Sequence, residues 1–351
     1  MNDKHGGGMA EALRLTRAGR LGDATALIQG LLRGRQAPEP AAEAPHEPGR
    51  IRRFLDGLLG RGKAGPVPEQ EMTAARYTGA AGSRAYRLYV PPVAGSRPLP
   101  LLVMLHGCTQ NPEDFAAGTR MNQLAAAHGL LVAWPEQDKR ANAQRCWNWF
   151  QPGDQVRDRG EPAILAGIVR QIVAEQRVDT TRIYVAGLSA GGAQAAIMAA
   201  AYPDLFAAVG VHSGLACGAA RDLPTALAAM RNGPAGLTAA AGPHLPTILF
   251  QGDADRTVNP ANADALEAQS LAGRPGLRTE VEDGRSAGGL AWRRTRHLDA
   301  RGQPVLERWT VNGAGHAWSG GSTEGSFTEP RGPDASREML RFFLSTARRA
   351  E

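Results

Sequence analysis

Cysteine is scarce in this chain, with only Cys108, Cys146 and Cys217. Three thiols close at most one bridge, which excludes a small disulfide-built scaffold, and none stands at a zinc-ligand spacing. Lysine is equally rare. Lys4, Lys63 and Lys139 are the only three, so arginine carries nearly all of the formal +6 charge. A bias of that kind follows the base composition of a genome more than it points to a polyanionic partner. No zinc-finger spacing or RNP-type aromatic pattern accompanies it, so no nucleic-acid partner is expected. No apolar run approaches the roughly 18 residues of a membrane-spanning helix, and no transmembrane segment is expected. Residues 1–33 contain no apolar stretch of the kind a secretory signal requires, which predicts a cytoplasmic protein. Nothing in the pattern calls for a metal or a cofactor.

What is present suits a large enzyme domain. Of 351 residues, 42% are hydrophobic and 21% charged, a mixture able to bury a core over most of the chain. Three regions differ in character. Residues 1–34 show apolar positions at helical spacing (Leu13, Leu21, Leu27, Ile28) and read as a short helical segment. That segment either packs on the main domain or docks on a partner or an apolar particle surface. Residues 35–69 are rich in Pro and Ala and read as a linker, interrupted by a helical patch near Ile51–Leu59. Residues 70–351 alternate strand-like runs (Ala85–Val90, Leu101–Leu105, Leu130–Trp134, Arg182–Ala186, Ala208–Val211, Thr247–Gln251, and VLERWTV before Asn312) with helical stretches. Among the latter are Pro162–Glu175, Gly191–Ala201, Pro260–Leu271 and Pro333–Arg348. That alternation predicts an α/β fold with a mostly parallel central sheet and helices on both faces.

Gly187-Leu188-Ser189-Ala190-Gly191 stands where strand RIYVA gives way to an Ala-rich helix. In that setting G-x-S-x-G is a nucleophile elbow: the sharp turn strains the serine, and glycines on either side avoid collisions with strand and helix. A serine needs a base, and the base needs a third group to orient it. In this fold class the chain order is serine, acid, histidine. Asp255, in the D-x-x-V-x-P loop after strand TILFQ, is the expected acid, with Asp253 as its rival. His316, in Gly313-Ala314-Gly315-His316, is the expected base, and His106 reads as a ring supporting its loop. The oxyanion donors expected are the backbone N–H groups of Ala190 and Cys108, the latter in the loop after LLVML. The Cys108 side chain either packs or pairs with Cys146. Trp147, Trp149 and Trp318 are candidate walls of a substrate groove, with ordinary core packing as the alternative.

Four blocks in order, LLVMLHGCTQNPEDFAAGTRMNQLA, CWNWF, VAGLSAGG and GAGHAWSGG, resemble the polyhydroxybutyrate depolymerase family of esterases. The resemblance extends over about Ala75–Leu344. It implies an α/β-hydrolase fold and a serine esterase that cuts short-side-chain (3-hydroxybutyrate-type) polyhydroxyalkanoate polyester or its oligomers through an acyl-enzyme. Ser189, Asp255 and His316 would be the catalytic triad, and Cys108 and Ala190 the oxyanion hole. Relatives acting on feruloyl, acetyl-xylan and other short-acyl esters supply an alternative, and a non-catalytic granule- or partner-binding role is a third. The expected partners are an ester or polyester substrate and, through the N-terminal helices, a granule surface. Many members of the family are extracellular, which is the alternative to the cytoplasm.

Overall fold

The computed structural model describes residues 72–92, 97–236 and 245–348. The chain divides into two units, Met1–Glu71 and Met72–Glu351. The expected helical segment and linker lie outside the described residues.

The second unit is built on a ten-stranded sheet. Strands β1 (Thr73–Gly79) and β2 (Gly82–Tyr89) form a hairpin at one side. β3 (Leu99–Leu105), β4 (Leu131–Pro135), β5 (Val178–Leu188), β6 (Ala208–His212), β7 (Thr247–Gly252) and β10 (Pro304–Val311) form the parallel centre. β8 (Arg278–Arg285) and β9 (Ala291–Leu298) close the other side. The order is β1-β2-β4-β3-β5-β6-β7-β10-β9-β8, and a separate pair joins β11 (Trp318–Ser319) to β12 (Thr328–Glu329). β3, β4, β6 and β7 are short and buried end to end, and β5 is buried from Ile183 onward, because helices cover both faces.

The α/β class expected from the alternation is the one observed, with antiparallel margins. β2 runs antiparallel to β4, and β9 antiparallel to both β10 and β8. β8 and β9 carry no apolar alternation. Their register instead sets Glu280 opposite Arg296, Glu282 opposite Arg294 and Asp283 opposite Arg293. Each of these facing pairs forms an ion pair.

The helices are α1 (Pro112–Thr119), α2 (Met121–His128), α3 (Gly160–Glu175), α4 (Ala190–Ala201), α5 (Leu223–Asn232), α6 (Ala261–Leu271) and α7 (Ala335–Leu344). Alternation along β5 assigns their sides. Tyr184 stacks on Phe343 of α7, with ring centroids 5.0 Å apart. A side chain on Gly187, three residues on, would strike Gly191 of α4. Residues of opposite parity face opposite sides of a sheet, so α4 and α7 cover opposite faces. Tyr184, Phe250, Trp309, Met339, Phe342 and Phe343 belong to the large core on the α7 side. None of the helices among the described residues is long and apolar enough to cross a membrane.

Phe343 is fully buried. Phe343→Ala should cost about 3–5 kcal/mol of unfolding free energy, the usual range for emptying an aromatic site in a core. Urea denaturation followed by far-UV circular dichroism checks it; a loss under 1 kcal/mol would mean that the site collapses around the vacancy.

Candidate active site

Neighbouring parallel strands deliver their C-terminal loops to one edge of the sheet. The strand order turns back at β3 and β5, so the connections after these two strands run to opposite sides of the sheet's centre. Ser189 lies at the tip of β5 with φ 59° and ψ −120°, a conformation that L-residues rarely adopt. Its N–H donates to the His212 carbonyl at the end of β6 (2.9 Å). Its neighbours must be small. A Cβ on Gly191 would lie 2.0 Å from the Leu105 carbonyl oxygen, and one on Gly187 would lie 2.4 Å from the Gly191 carbonyl carbon. The glycines of the motif let α4 begin against the end of β3.

The loops after β7 and β10 are tied together. The N–H groups of Asp253 and Ala254 donate to the Val311 and Ala314 carbonyls (3.2 and 3.1 Å). This brings Asp255 to His316, with His316 Nδ1 2.8 Å from Asp255 Oδ2. The other oxygen of the carboxylate, Oδ1, accepts the N–H groups of Thr257 (2.8 Å) and Val258 (2.9 Å), and Gln251 Nε2 donates to Oδ2 (3.2 Å). Asp255 is only 4% exposed. Burial alone would raise its carboxyl. The bond and charge of His316 and the two backbone donors outweigh burial and hold it below the ordinary carboxylate range. An ionised carboxylate on Nδ1 keeps a proton on that nitrogen and leaves Nε2 as the ring's acceptor. Asp253 has a different task, accepting the Gly313 N–H (2.6 Å) in the turn before His316.

Ser189 is 9% exposed, and its Oγ makes no hydrogen bond among the described residues. Asp255 and His316 are therefore paired, while no hydrogen bond joins Ser189 Oγ to His316. The amides of Cys108 and Ala190 also have no acceptor among the described residues. Gly107, next to Cys108, comes close enough to the elbow that a Cβ there would sit 3.7 Å from Ser189 Cβ. The loop is held by Gln110, whose Oε1 accepts the Gly107 N–H (2.9 Å). Gln110 Nε2 in turn donates to Asp114 Oδ2 (2.9 Å) and to the Ser326 carbonyl (3.1 Å). Cys108 is bridged to Cys146. Cys217 is a buried thiol that burial pushes up to about 12.

Of the two readings of the tryptophans, core packing is the one Trp147 and Trp318 follow. Cys146–Phe150 is buried. Trp147 is fully covered, donating Nε1–H to the His106 carbonyl (3.1 Å), and Trp318 is 1% exposed, donating to Ser336 Oγ (3.0 Å). Neither offers a face to a ligand. Their indole N–H groups find buried acceptors, so the rings brace the site from behind. Trp149, 5% exposed, packs edge-on against Phe150.

His106 Nδ1 meets the Gly107 carbonyl (2.8 Å), and its Nε2 accepts the Gln137 N–H (3.1 Å). That pattern requires a neutral ring with its proton on Nδ1, a support for the loop. His212, passed over in the sequence, holds two loops. Its carbonyl fixes Ser189, and its Nε2 accepts the Ser319 N–H (2.9 Å) three residues beyond His316. Its ring stacks on Trp318 and Phe250. Glu161, 4% exposed, was also passed over. Its mark in the sequence is an acid directly before the unbroken apolar run of residues 162–169 in α3. Among the described residues no three His, Cys, Asp or Glu side chains cluster closely enough to hold a metal ion.

The family model described as Esterase PHB depolymerase matches residues 84–288. The chain belongs to this family. One relative, the poly(3-hydroxyalkanoate) depolymerase C of Paucimonas lemoignei, is 32% identical over 229 residues, covering 62% of this chain and 54% of the relative. Feruloyl esterase B of Neurospora crassa is 31% identical over 129 residues (36% of this chain, 43% of that protein). The probable acetylxylan esterase A of Aspergillus clavatus is 32% identical over 132 residues (37% and 42%). This family member thus spans about half, or less, of the length of the curated relatives it matches. An acetyl xylan esterase from Aspergillus awamori shares its fold, with TM-score 0.62 over 78% of this chain and 99% of that one, at 19% identity.

The buried imidazoles predict an acid-sensitive fold. Burial lowers His106 from 6.5 to about 4 and His212 from 6.5 to about 3. Their contribution is complete above 6.5 and is lost as pH falls through those folded values, because the unfolded chain binds protons that the folded chain refuses. Glu161 acts in the opposite sense, since burial raises it from 4.5 to about 7, and its effect ends below 4.5. Two imidazoles outweigh one carboxyl. The Tm should therefore decline below about pH 6.5 and more steeply below about pH 4.5. A Tm that stays level from pH 7 to pH 4 in differential scanning calorimetry would contradict the neutral-ring assignment.

Proposed function

We propose that the chain is a serine carboxylic ester hydrolase working through an acyl-enzyme on Ser189. The observation that carries this is the Asp255–His316 hydrogen bond of 2.8 Å, made on loops flanking a serine held at φ 59°. In the proposed reaction His316 Nε2 takes the Ser189 proton as Oγ adds to the ester carbonyl. The negative charge that develops on the carbonyl oxygen is met by the Cys108 and Ala190 N–H groups. Collapse expels the alcohol, which leaves with the proton from His316. Water then repeats the sequence, with His316 as base, releasing the acid and restoring Ser189.

The substrate class proposed is short-side-chain polyhydroxyalkanoate of the 3-hydroxybutyrate type, as polymer or oligomer. Family membership and the Paucimonas lemoignei relative support it. The feruloyl and acetylxylan esterase relatives support the alternative of a short-acyl esterase on the same machinery. A non-catalytic role is disfavoured by a formed acid–base pair that such a role does not need. The Cys108–Cys146 bridge supports placing the chain in an oxidising compartment, the extracellular alternative, over the cytoplasm.

Ser189→Ala should lower hydrolysis of a soluble nitrophenyl ester about 10⁴- to 10⁶-fold with no change in Tm. Asp255→Asn should cost far more than Asp253→Asn, and the reverse ranking would move the acid to Asp253. Compared at equal concentration, 3-hydroxybutyrate oligomers should be cut faster than feruloyl or acetyl-xylan esters; the opposite order would favour the alternative.

Granule contact through residues 1–34 rests on their basic, amphipathic composition alone. Deleting Met1–Pro68 should leave turnover of a small soluble ester within about threefold, near 0.7 kcal/mol in barrier, and should weaken sedimentation with polyester granules. Undiminished sedimentation would end the granule role.

A further inference from the structure

Behind the oxyanion loop lies a buried polar cluster that the proposed reaction does not touch. Its centre is Glu161, the second residue of α3. Hydrogen-bond donors alone meet its carboxylate. Oε2 accepts the Asn148 N–H (2.8 Å), and Oε1 accepts from Asn148 Nδ2 (3.1 Å), Arg84 Nη2 (3.2 Å) and Gln137 Nε2. Its own N–H donates to Asp154 Oδ1 (2.7 Å), so the helix start is fixed too. In its ionised form the group is acceptor-only and meets all four donors; burial and the neighbouring Asp154 raise its pKa to about 7, and the Gln137, Asn148 and Arg84 donors oppose that rise.

Two paths run from this carboxylate to Cys108. On the first, Gln137 presents its backbone N–H to His106 Nε2 (3.1 Å), and His106 Nδ1–H reaches the Gly107 carbonyl (2.8 Å). That carbonyl and the Cys108 N–H are two ends of one planar peptide unit. Holding the oxygen therefore sets the direction of the hydrogen. On the second path, Asn148 and the Gln137 Nε2 bond to the Cys146 carbonyl (2.9 Å) fix the segment that carries Cys146 and Trp147. Cys146 is bridged to Cys108, and Trp147 Nε1 holds the His106 carbonyl (3.1 Å), on the peptide just before.

We infer that Glu161 is a positioning residue for catalysis: through Gln137, His106 and Asn148 it aims the Cys108 amide at the oxygen that becomes negative in the transition state. This rests on the reading of Cys108 as an oxyanion donor. A donor that serves the developing oxyanion stabilises the transition state more than the bound ester, so its misalignment lowers kcat and leaves KM nearly alone. A residue that only holds the fold together lowers Tm without that split.

The test is Glu161→Gln in the full chain. A glutamine retains one acceptor oxygen and turns an NH₂ group toward a donor, so the cluster must rearrange. With a soluble nitrophenyl ester, kcat should fall about 10- to 100-fold with KM within about twofold. Affinity for a trifluoromethyl ketone, which forms a tetrahedral adduct with the serine, should fall by a similar factor. Near-UV circular dichroism, recorded at the assay temperature, confirms that both proteins are folded. A lower Tm with unchanged kcat and unchanged ketone affinity overturns the inference, as does a rise in KM alone. Gln137→Met is the second variant, used if Glu161→Gln does not fold. It removes the Nε2 bonds but keeps the N–H on His106, and it should lower kcat about 3- to 10-fold, an unchanged kcat again overturning the inference. Ser189→Ala, run in parallel, separates the two levels. If it abolishes turnover while Glu161→Gln does not reduce kcat, only this inference fails; if it keeps turnover, the proposed reaction and this inference fall together.

Discussion

The first turn of α4 is pressed so close to the end of β3 that no side chain fits at Gly191, where a Cβ would stand 2.0 Å from the Leu105 carbonyl. That approach holds Ser189 at a positive φ, because the chain must reverse within one residue between a buried strand and a buried helix. It also brings the loop after β3 beside the serine, where a Cβ on Gly107 would sit 3.7 Å from Ser189 Cβ. The strain at Ser189 is opposed by its N–H bond to the His212 carbonyl and by the packing of α4 against β5, β6 and β3. Loosening this contact would move Ser189 and the loop that carries Cys108 together.

Around the elbow, the supporting groups are neutral rings and one buried charge, each with an assigned partner. His106 and His212 each spend one ring nitrogen accepting a backbone N–H, which a protonated imidazole cannot do. Burial keeps them neutral. Glu161 is the complementary case, an acceptor surrounded by donors. Trp147 and Trp318 add rigid area and one directed N–H apiece. The site is thus aligned by hydrogen bonds between buried groups, where an unmet partner would be costly.

Legibility in the sequence differed by element for identifiable reasons. β3, β7 and the second half of β5 are legible because strand segments covered on both faces are apolar, and the loops after them inherit fixed places in the chain order. The hairpin of β8 and β9 could not be read: its residues are charged on both faces, and the pairing that stabilises it joins Glu280 to Arg296 and Glu282 to Arg294 across strands. α1 and α5 also escaped notice. Each begins at a capped Pro (Asn111-Pro112, Asp222-Leu223-Pro224) in a stretch that looks like loop. For Trp147 and Trp318 the choice between groove wall and core is not legible, because an aromatic beside a functional residue looks the same in a sequence whether it faces a ligand or the core.

The sequence by itself determined the fold class and the order of serine, acid and histidine along the chain, because both depend on local patterns: strand and helix periodicity, the small-residue elbow, and loops at strand ends. Only the tertiary structure decided that Asp255 and not Asp253 meets His316, that Cys108 pairs with Cys146, and that Trp147 and Trp318 support the site from within. Those are contacts between residues tens or hundreds of positions apart. They are set by strand order and by which way a loop turns as it leaves the sheet, and neither is written in the spacing of residues along the chain.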